Sequence, residues 1–132
     1  MKKNILSLCI ILFSLTLKGQ TQINIENIAA PAVLDNVSNQ KIFGDSLSSS
    51  FLLFIKKEVK LHKHILHSEH VYVIDGEADM KLGDKNIHVK KADMIFIPNG
   101  TGHSVKVTSA IPLKVISIQS PYFDGKDRII LE

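Results

Sequence analysis

The sequence predicts an all-β barrel or sandwich, formed by a single domain that follows an N-terminal leader. From about residue 39 onward, short apolar or alternating segments recur at regular spacing, with turn residues such as Gly76 and Gly83 between them. No segment beyond the leader has the 3.6-residue period of an amphipathic helix. The 132-residue chain is long enough for one domain with a modest hydrophobic core.

The first 19 residues have the pattern of a secretory signal peptide. Lysines follow the initial methionine, an apolar run occupies residues 5–17, and the small residue Gly19 comes soon after. The run is shorter than the roughly 20 apolar residues of a transmembrane helix. We therefore predict cleavage between Gly19 and Gln20, export to the periplasm or the medium, and no stable membrane anchor. An uncleaved leader that anchors the protein to the membrane is the alternative, and lipoprotein processing at Cys9 fits less well.

Removal of the leader changes the charge of the protein. The full chain carries 16 basic and 13 acidic residues, and the leader contains three of the lysines and none of the acids. The mature chain, residues 20–132, therefore has 13 residues of each sign, and it offers no basic surface to nucleic acid. The single cysteine also lies in the leader, so the mature domain depends on its core or on a metal rather than on disulfides.

The mature chain divides into three parts. Residues 20–38 are polar and mixed, and they predict an extended arm that lies over the barrel or over a partner. Residues 39–119 carry the barrel strands, and residues 120–132 form a tail that ends in a closing strand. We expect strands at residues 41–43, 51–55, 59–62, 69–75, 78–82, 87–89, 94–97, 103–107, 113–117 and 128–131.

Alternation along these strands assigns side chains to the inside or the outside of the barrel. His62 and His64 lie two residues apart, so their imidazoles share one face of a strand. His103 shares its face with Val105, which places it inside. The same alternation puts Lys60 beside the first two histidines, where a lysine is acceptable only at the mouth of the barrel, with its ammonium group in water.

Two short motifs carry the most specific pattern in the chain. The first reads His-x-His-x4-Glu-x6-Gly from His62 to Gly76, and the second reads Pro-x-Gly-x2-His from Pro98 to His103. Neutral imidazoles and a carboxylate that converge on one point form a site for a first-row transition metal. A histidine-rich loop without an organised site is the simpler alternative.

These two motifs resemble the paired motifs of the cupins, over about residues 40–119, and the chain looks like an exported small single-domain cupin. The resemblance implies a jelly-roll β-barrel. Lys56 and Ala92 stand where the motifs usually have glycine, and Val107 where the second often has asparagine; none of these is a ligand position. The turn at Ala92 either does not need a positive φ or is mildly strained. By this resemblance the metal ligands are His62, His64, Glu69 and His103.

The remaining histidines and one tyrosine are expected outside the site. His67 is interpreted as a solvated loop residue, with a gating or substrate-binding role as the alternative. His70 follows Glu69 and faces away from it, which places it at the surface or at an interface. His88 and Tyr72 face outward by alternation.

The ligand set leaves two functions open. Three histidines and one glutamate leave two of six octahedral positions free, which suits one divalent ion of Fe, Mn, Ni, Co or Zn. The chain is then a metal-dependent enzyme that acts on a small molecule, as an oxygenase or as a sugar-type isomerase or lyase. The alternative is a non-catalytic module whose metal organises a pocket for a carbohydrate or a carboxylate. No further acid or base is aimed at the centre, since Asp75 lies at a turn, and the fold alone does not choose.

The exterior of the barrel predicts a homodimer. Tyr72 and Ile74 point outward by alternation, and so do Ile116 and Ile118 if Val115 faces inward. This apolar surface is larger than a monomer usually exposes. Pairing two copies about a two-fold axis would cover it. Coverage by the arm and the closing strand of the same chain is the alternative.

Overall fold

The computed structural model describes residues 21–132, and every regular element in that range is a β-strand. The predicted leader and Gln20 lie outside these residues. Within them, no helix is long and apolar enough to cross a membrane. The all-β prediction is confirmed. The strands are β1 (Val37–Gly44), β2 (Ser49–Ile55), β3 (Glu58–Lys63), β4 (Ser68–Asp75), β5 (Glu77–Leu82), β6 (Lys85–Lys90), β7 (Met94–Ile97), β8 (His103–Val107), β9 (Leu113–Ser120) and β10 (Ile129–Ile130).

The strands form two five-stranded antiparallel sheets that enclose the core. One sheet has the order β1-β2-β9-β4-β7, and the other has the order β10-β3-β8-β5-β6. Strands that are distant in sequence lie next to each other, as in a jelly roll. Alternate residues of the strands form one core cluster: Ile55, Val73, Ala78, Met80, Val89, Ile95, Ile97, Leu113 and Val115. Val105, which alternation places inside, packs against this cluster.

A β-bulge in β3 brings the first ligand candidate into the interior. Val59 pairs with Val105, and His62 pairs with His103, so β3 has one residue more than β8 over this stretch. Val59 and His62 therefore both line the cavity. Lys60 lies in the bulge and is exposed. The prediction that Lys60 shares the face of the histidines is wrong, because strict alternation does not hold across a bulge.

Part of the N-terminal arm lies over the chain's own barrel. The side-chain ammonium of Lys114 donates to the main-chain carbonyls of Ile25 at 2.7 Å, Glu26 at 3.2 Å and Ile28 at 2.7 Å. Lys114 is only 8% exposed, and the three carbonyls satisfy its three donors. The arm is shorter than predicted at its C-terminal end, because β1 already begins at Val37.

The turn between β6 and β7 is strained at Ala92. The sequence left two possibilities for this turn, an ordinary φ or a mildly strained positive φ, and the structure has the second. Ala92 has a φ of 75°, the only positive φ among the described non-glycine residues. Its amide donates to the carbonyl of Val73 at 2.9 Å, which ties the turn to β4. This region of φ is unfavourable for a residue with a Cβ.

Candidate metal centre

The four predicted ligands come from three places in the fold and meet in one cavity. The cavity lies between the two sheets and has a volume of about 210 Å³. His62 lies in β3, His64 just after it, Glu69 in β4 and His103 at the start of β8. All four side chains line this cavity, and each residue is at most 7% exposed. The simpler alternative, a histidine-rich loop without an organised site, is therefore wrong.

The three histidines are close enough together to hold one metal ion. Each offers a ring nitrogen, and these three atoms all lie within 4.8 Å of one another. The ring centroids of His62 and His103 are 4.2 Å apart, and those of His62 and His64 are 5.2 Å apart. Burial, and next the neighbouring His103, lowers the pKa of His62 to about 4. That imidazole is therefore neutral near pH 7, the form in which histidine binds a metal.

The backbone sets which nitrogen of each histidine faces the cavity. Nδ1 of His62 is 2.8 Å from the carbonyl of Lys60 in the bulge, and Nδ1 of His103 is 3.0 Å from the carbonyl of Thr101. Nδ1 of His64 is paired with the carbonyl of Asp127. Because a carbonyl only accepts, each Nδ1 must carry the hydrogen, and each Nε2 is left with a free lone pair. Metal-binding histidines in proteins are usually oriented in this way.

Glu69, the fourth ligand candidate, lies beside the three-histidine group, on the side of His64 and His103. Its Oε2 lies 3.3 Å from Nε2 of His103 and 3.7 Å from Nε2 of His64. Its Oε1 accepts a hydrogen bond of 2.5 Å from the Ser117 hydroxyl. Burial opposes ionisation of this carboxyl, but the nearby His103 imidazole and the hydrogen bond from Ser117 outweigh it and lower its pKa. The residues therefore suit a divalent cation, with neutral nitrogen donors and one carboxylate.

His67 is buried, contrary to the expectation of a solvated loop residue. It is 6% exposed. Its Nδ1 lies 2.6 Å from Oδ2 of Asp127, and its Nε2 lies 3.0 Å from the carbonyl of Tyr122. Two acceptors require two N–H donors, so the geometry favours the imidazolium form. Burial lowers the pKa of His67, but the bonds to Asp127 and Tyr122 prevail and raise it. The sequence carries no local signal of this pair, whose members are 60 residues apart.

The C-terminal segment, residues 120–128, forms one wall of the centre. Besides His67, the Asp127 carboxylate accepts hydrogen bonds from the amides of Ile65 at 3.0 Å and Leu66 at 2.7 Å. Burial opposes its charge, but these bonds outweigh that effect and lower the pKa of Asp127 to about 2. The Phe123 ring meets the His67 ring edge-on at a centroid distance of 5.0 Å. The tail is thus hydrogen-bonded to the loop between β3 and β4, which carries the ligand candidate His64.

Several polar residues of the cavity were missed in the sequence. Ser117 and Gln119 face the cavity from β9, and Arg128 faces it from the tail. Alternation from the inward Val115 would have placed both β9 residues inside. Arg128 has no such pattern, because it precedes a strand of only two residues.

The other singled-out side chains lie outside the centre, as predicted. The His88 imidazole is 49% exposed and lies 2.9 Å from Oδ1 of Asp79 on the neighbouring strand. His70 faces outward, with its ring 4.8 Å from that of Phe96. Tyr72 is 40% exposed on the same face.

Comparison with known proteins connects the barrel with sugar-phosphate enzymes. Residues 51–132 match the family model described as mannose-6-phosphate isomerase C-terminal. The uncharacterized protein MJ1618 of Methanocaldococcus jannaschii is 36% identical over 72 residues, which are 54% of this chain and 58% of that protein. Mannose-1-phosphate guanylyltransferase 2 of Escherichia coli O157:H7 is 38% identical over 72 residues, 54% of this chain but 14% of the enzyme. The chain therefore spans little more than half of the first relative and a small part of the second.

A solved structure shows the same fold. It is an uncharacterized conserved protein with a double-stranded beta-helix domain from Klebsiella pneumoniae. The TM-score is 0.72 at 18% identity, over 86% of this chain and 99% of that one. This supports the predicted cupin barrel.

Proposed function

We propose that this chain, which belongs to the mannose-6-phosphate isomerase C-terminal family of cupin domains, is a metal-dependent enzyme acting on a small sugar-type molecule. The reaction class we favour is isomerisation or elimination. One observation carries the proposal: three buried imidazoles keep Nδ1 on backbone carbonyls and leave Nε2 for a cation. The family is described by mannose-6-phosphate isomerase, and one relative is named mannose-1-phosphate guanylyltransferase 2, which favours a sugar-type substrate over the oxygenase alternative.

The proposed ligands are His62, His64, Glu69 and His103, and they would hold one divalent ion of Fe, Mn, Ni, Co or Zn. When bound, that ion would act as a Lewis acid toward a carbonyl or hydroxyl oxygen. The protein groups have separate tasks. The backbone carbonyls orient the three imidazoles, and Ser117 holds the Glu69 carboxylate toward them at 2.5 Å. The apolar side chains that line most of the cavity limit the access of water to the substrate.

One observation favours the second candidate, a non-catalytic binding module. Among the described residues that line the cavity, Glu69 is the only carboxylate, and there is no lysine or tyrosine. Glu69 is already engaged with Ser117 and the histidines. A proton-transfer reaction would then need a base supplied by the substrate or by a bound water, whereas a binding module needs none.

The test is to incubate the metal-loaded protein, residues 20–132, with small aldoses, ketoses, uronates and hydroxy acids in D₂O. Isomerisation or elimination next to a carbonyl breaks a C–H bond, so proton NMR should show new products, with deuterium on carbon where the proton exchanges with solvent. Oxygen uptake, measured with an oxygen electrode, tests the oxygenase alternative. His103→Ala should lose turnover, and His88→Ala, which changes an exposed histidine, should retain it. Saturable binding with neither turnover nor oxygen uptake would favour the module instead.

A further inference from the structure

We propose that the ligand of this cavity is a small hydroxy-carboxylate, whose carboxylate binds Arg128 at the rim and whose hydroxyl bonds Gln119 inside. The inference deepens the proposed function, since it names the substrate class of the same cavity and rests on that assignment. It does not require catalysis, because it concerns recognition by two residues outside the four ligands.

The guanidinium of Arg128 has no carboxylate partner among residues 21–132. It is the only arginine in a chain that otherwise uses lysine for positive charge, and it lines the cavity. Among the described residues, no carboxylate forms an ion pair with it. Its acidic neighbours in the tail are engaged elsewhere: Asp127 with His67, and Asp124 with Lys126 at 3.0 Å. A guanidinium in this state suits a planar carboxylate, which it can bind through two parallel hydrogen bonds.

The charges around the cavity also favour an anion. The positive charge of Arg128 belongs to the same cavity as the four ligand candidates, because all five side chains line it. With a divalent ion held by neutral imidazoles, Glu69 supplies only one negative charge. The ion and the exposed Arg128 together therefore leave an excess of positive charge at the cavity. A singly charged carboxylate reduces this excess, whereas a neutral sugar does not.

Gln119 supplies an independent reason to expect a hydroxyl. It is 6% exposed, it lines the cavity, and it pairs across the sheet with Glu69. Its Oε1 is buried and has no hydrogen-bond partner in the part of the chain that the structure describes. Buried amide oxygens are rarely left unpaired, so a donor from the ligand fits here. A hydroxyl can both donate and accept, and it suits either orientation of the amide.

The size of the cavity limits the ligand. Its volume is about 210 Å³, which corresponds to about seven waters at their share of liquid volume. This leaves room for a three- or four-carbon hydroxy acid. Glycerate and glycerol are suitable probes, because they share the hydroxyl groups and differ in the carboxylate.

The experiment is calorimetric titration of the manganese-loaded protein, residues 20–132, with each probe. We expect glycerate to bind at least about tenfold more tightly than glycerol, the order of one charge-assisted hydrogen-bonded contact. Arg128→Gln should abolish this preference and leave the metal content unchanged, and Arg128→Lys should restore part of it. Gln119→Met should weaken both probes. Gln119→Glu keeps the size of the side chain but adds a negative charge, so it should weaken the binding of glycerate more than that of glycerol. A melting curve for each variant establishes that the variant folds.

Equal binding of the two probes, binding of neither at tens of millimolar, or an unchanged preference in Arg128→Gln would overturn the inference. Metal content is measured separately. A wild-type protein that takes up no manganese contradicts the proposed metal site. The glycerate preference is then measured on the metal-free protein. Failure of the metal site is thus distinguished from failure of the carboxylate recognition.

Discussion

The imidazole of His64 donates its Nδ1 hydrogen to the main-chain carbonyl of Asp127, and the carboxylate of the same aspartate binds the two amides that follow His64. A residue of the C-terminal segment thus orients a ligand candidate 63 positions earlier in the chain. The segment is part of the centre rather than a covering over it.

Asp127→Asn should lower the free energy of unfolding by about 2 kcal/mol near pH 5, because it leaves the buried His67 imidazolium without its counter-ion. The effect depends on pH in a defined direction. The carboxyl pKa is about 2 in the folded protein, against a usual 3.8, so its contribution is fully present above about pH 4 and is lost as the pH falls toward 2. Urea unfolding of both proteins from pH 6 to 3 measures the difference.

Asp84→Asn, at the exposed turn between β5 and β6, is the control and should change little at any pH. A difference between Asp127→Asn and wild type that grows toward pH 3 would contradict the proposed role of the carboxylate.

Removal of single histidines should remove the metal. The mature protein is expected to bind one divalent transition metal per chain, and His64→Ala or His103→Ala should each lose most of it, because only two imidazoles then remain beside Glu69. Elemental analysis after dialysis against the metal measures the content. His88→Ala, a change at an exposed position, should retain it. Unchanged stoichiometry in both ligand variants would disprove the assignment.

Ala92→Gly should stabilise the protein. An L-residue at a φ of 75° costs roughly 1–2 kcal/mol, and glycine relieves that strain while losing about 0.4–1 kcal/mol through a more flexible unfolded chain. A net gain of about 0.5–1 kcal/mol is expected in chemical denaturation. Ala110→Gly, at an exposed position with ordinary φ, should instead lose stability. Equal losses in the two variants would show that the turn at Ala92 is unstrained.

Alternation and motif spacing predicted the fold and the proximity of the four ligand candidates, for a physical reason. Strand patterning is local, and a jelly roll brings His62 and His103 to neighbouring strands. Two features of the structure could not be predicted from strand patterning. The bulge at Lys60 breaks the period of two without any glycine to mark it. The burial of His67 depends on Asp127, and no local pattern relates residues so far apart in the chain.

We propose that the protein is a homodimer that pairs through an outer apolar face, defined as the predicted Tyr72, Ile74, Ile116 and Ile118 together with Met94 and Phe96. Cross-strand pairing places these residues on adjoining strands: Tyr72 lies between Ile116 and Met94, and Phe96 is in register with His70. Met94 is 58% and Phe96 53% exposed. Val115 is buried, as the prediction requires. The arm contacts Lys114 on this sheet, where Tyr72, Met94 and Phe96 are exposed and Ile116 and Ile118 are half-buried.

Sedimentation of residues 20–132 at micromolar concentration tests this proposal. Phe96→Lys should shift the population to monomer, because it places a charge in the proposed apolar interface. Leu47→Lys changes a side chain that is 74% exposed, in the turn between β1 and β2, and should leave the dimer intact. A monomeric wild-type protein would refute the dimer.

Export remains a prediction from residues 1–19 alone. Expression of the full chain in a Gram-negative host should yield protein in the cell envelope or the medium whose intact mass corresponds to a start near Gln20. Substitution of charged residues into the apolar run at 5–17 should block export. A full-length protein in the soluble cytoplasm would contradict the prediction, and a full-length protein in the membrane fraction would support the anchored alternative.

The bulge in β3 has a consequence for anyone who grafts this histidine pair onto another scaffold. With one residue fewer, His62 would still oppose His103 and still face inward, so the copy would look correct on inspection. It would lack the displaced Lys60 carbonyl that receives the Nδ1 hydrogen of His62 at 2.8 Å, because carbonyls of a regular strand point along the sheet toward neighbouring strands. The transplanted ring would be free to rotate, and the graft would have to include the irregular backbone as well as the residues.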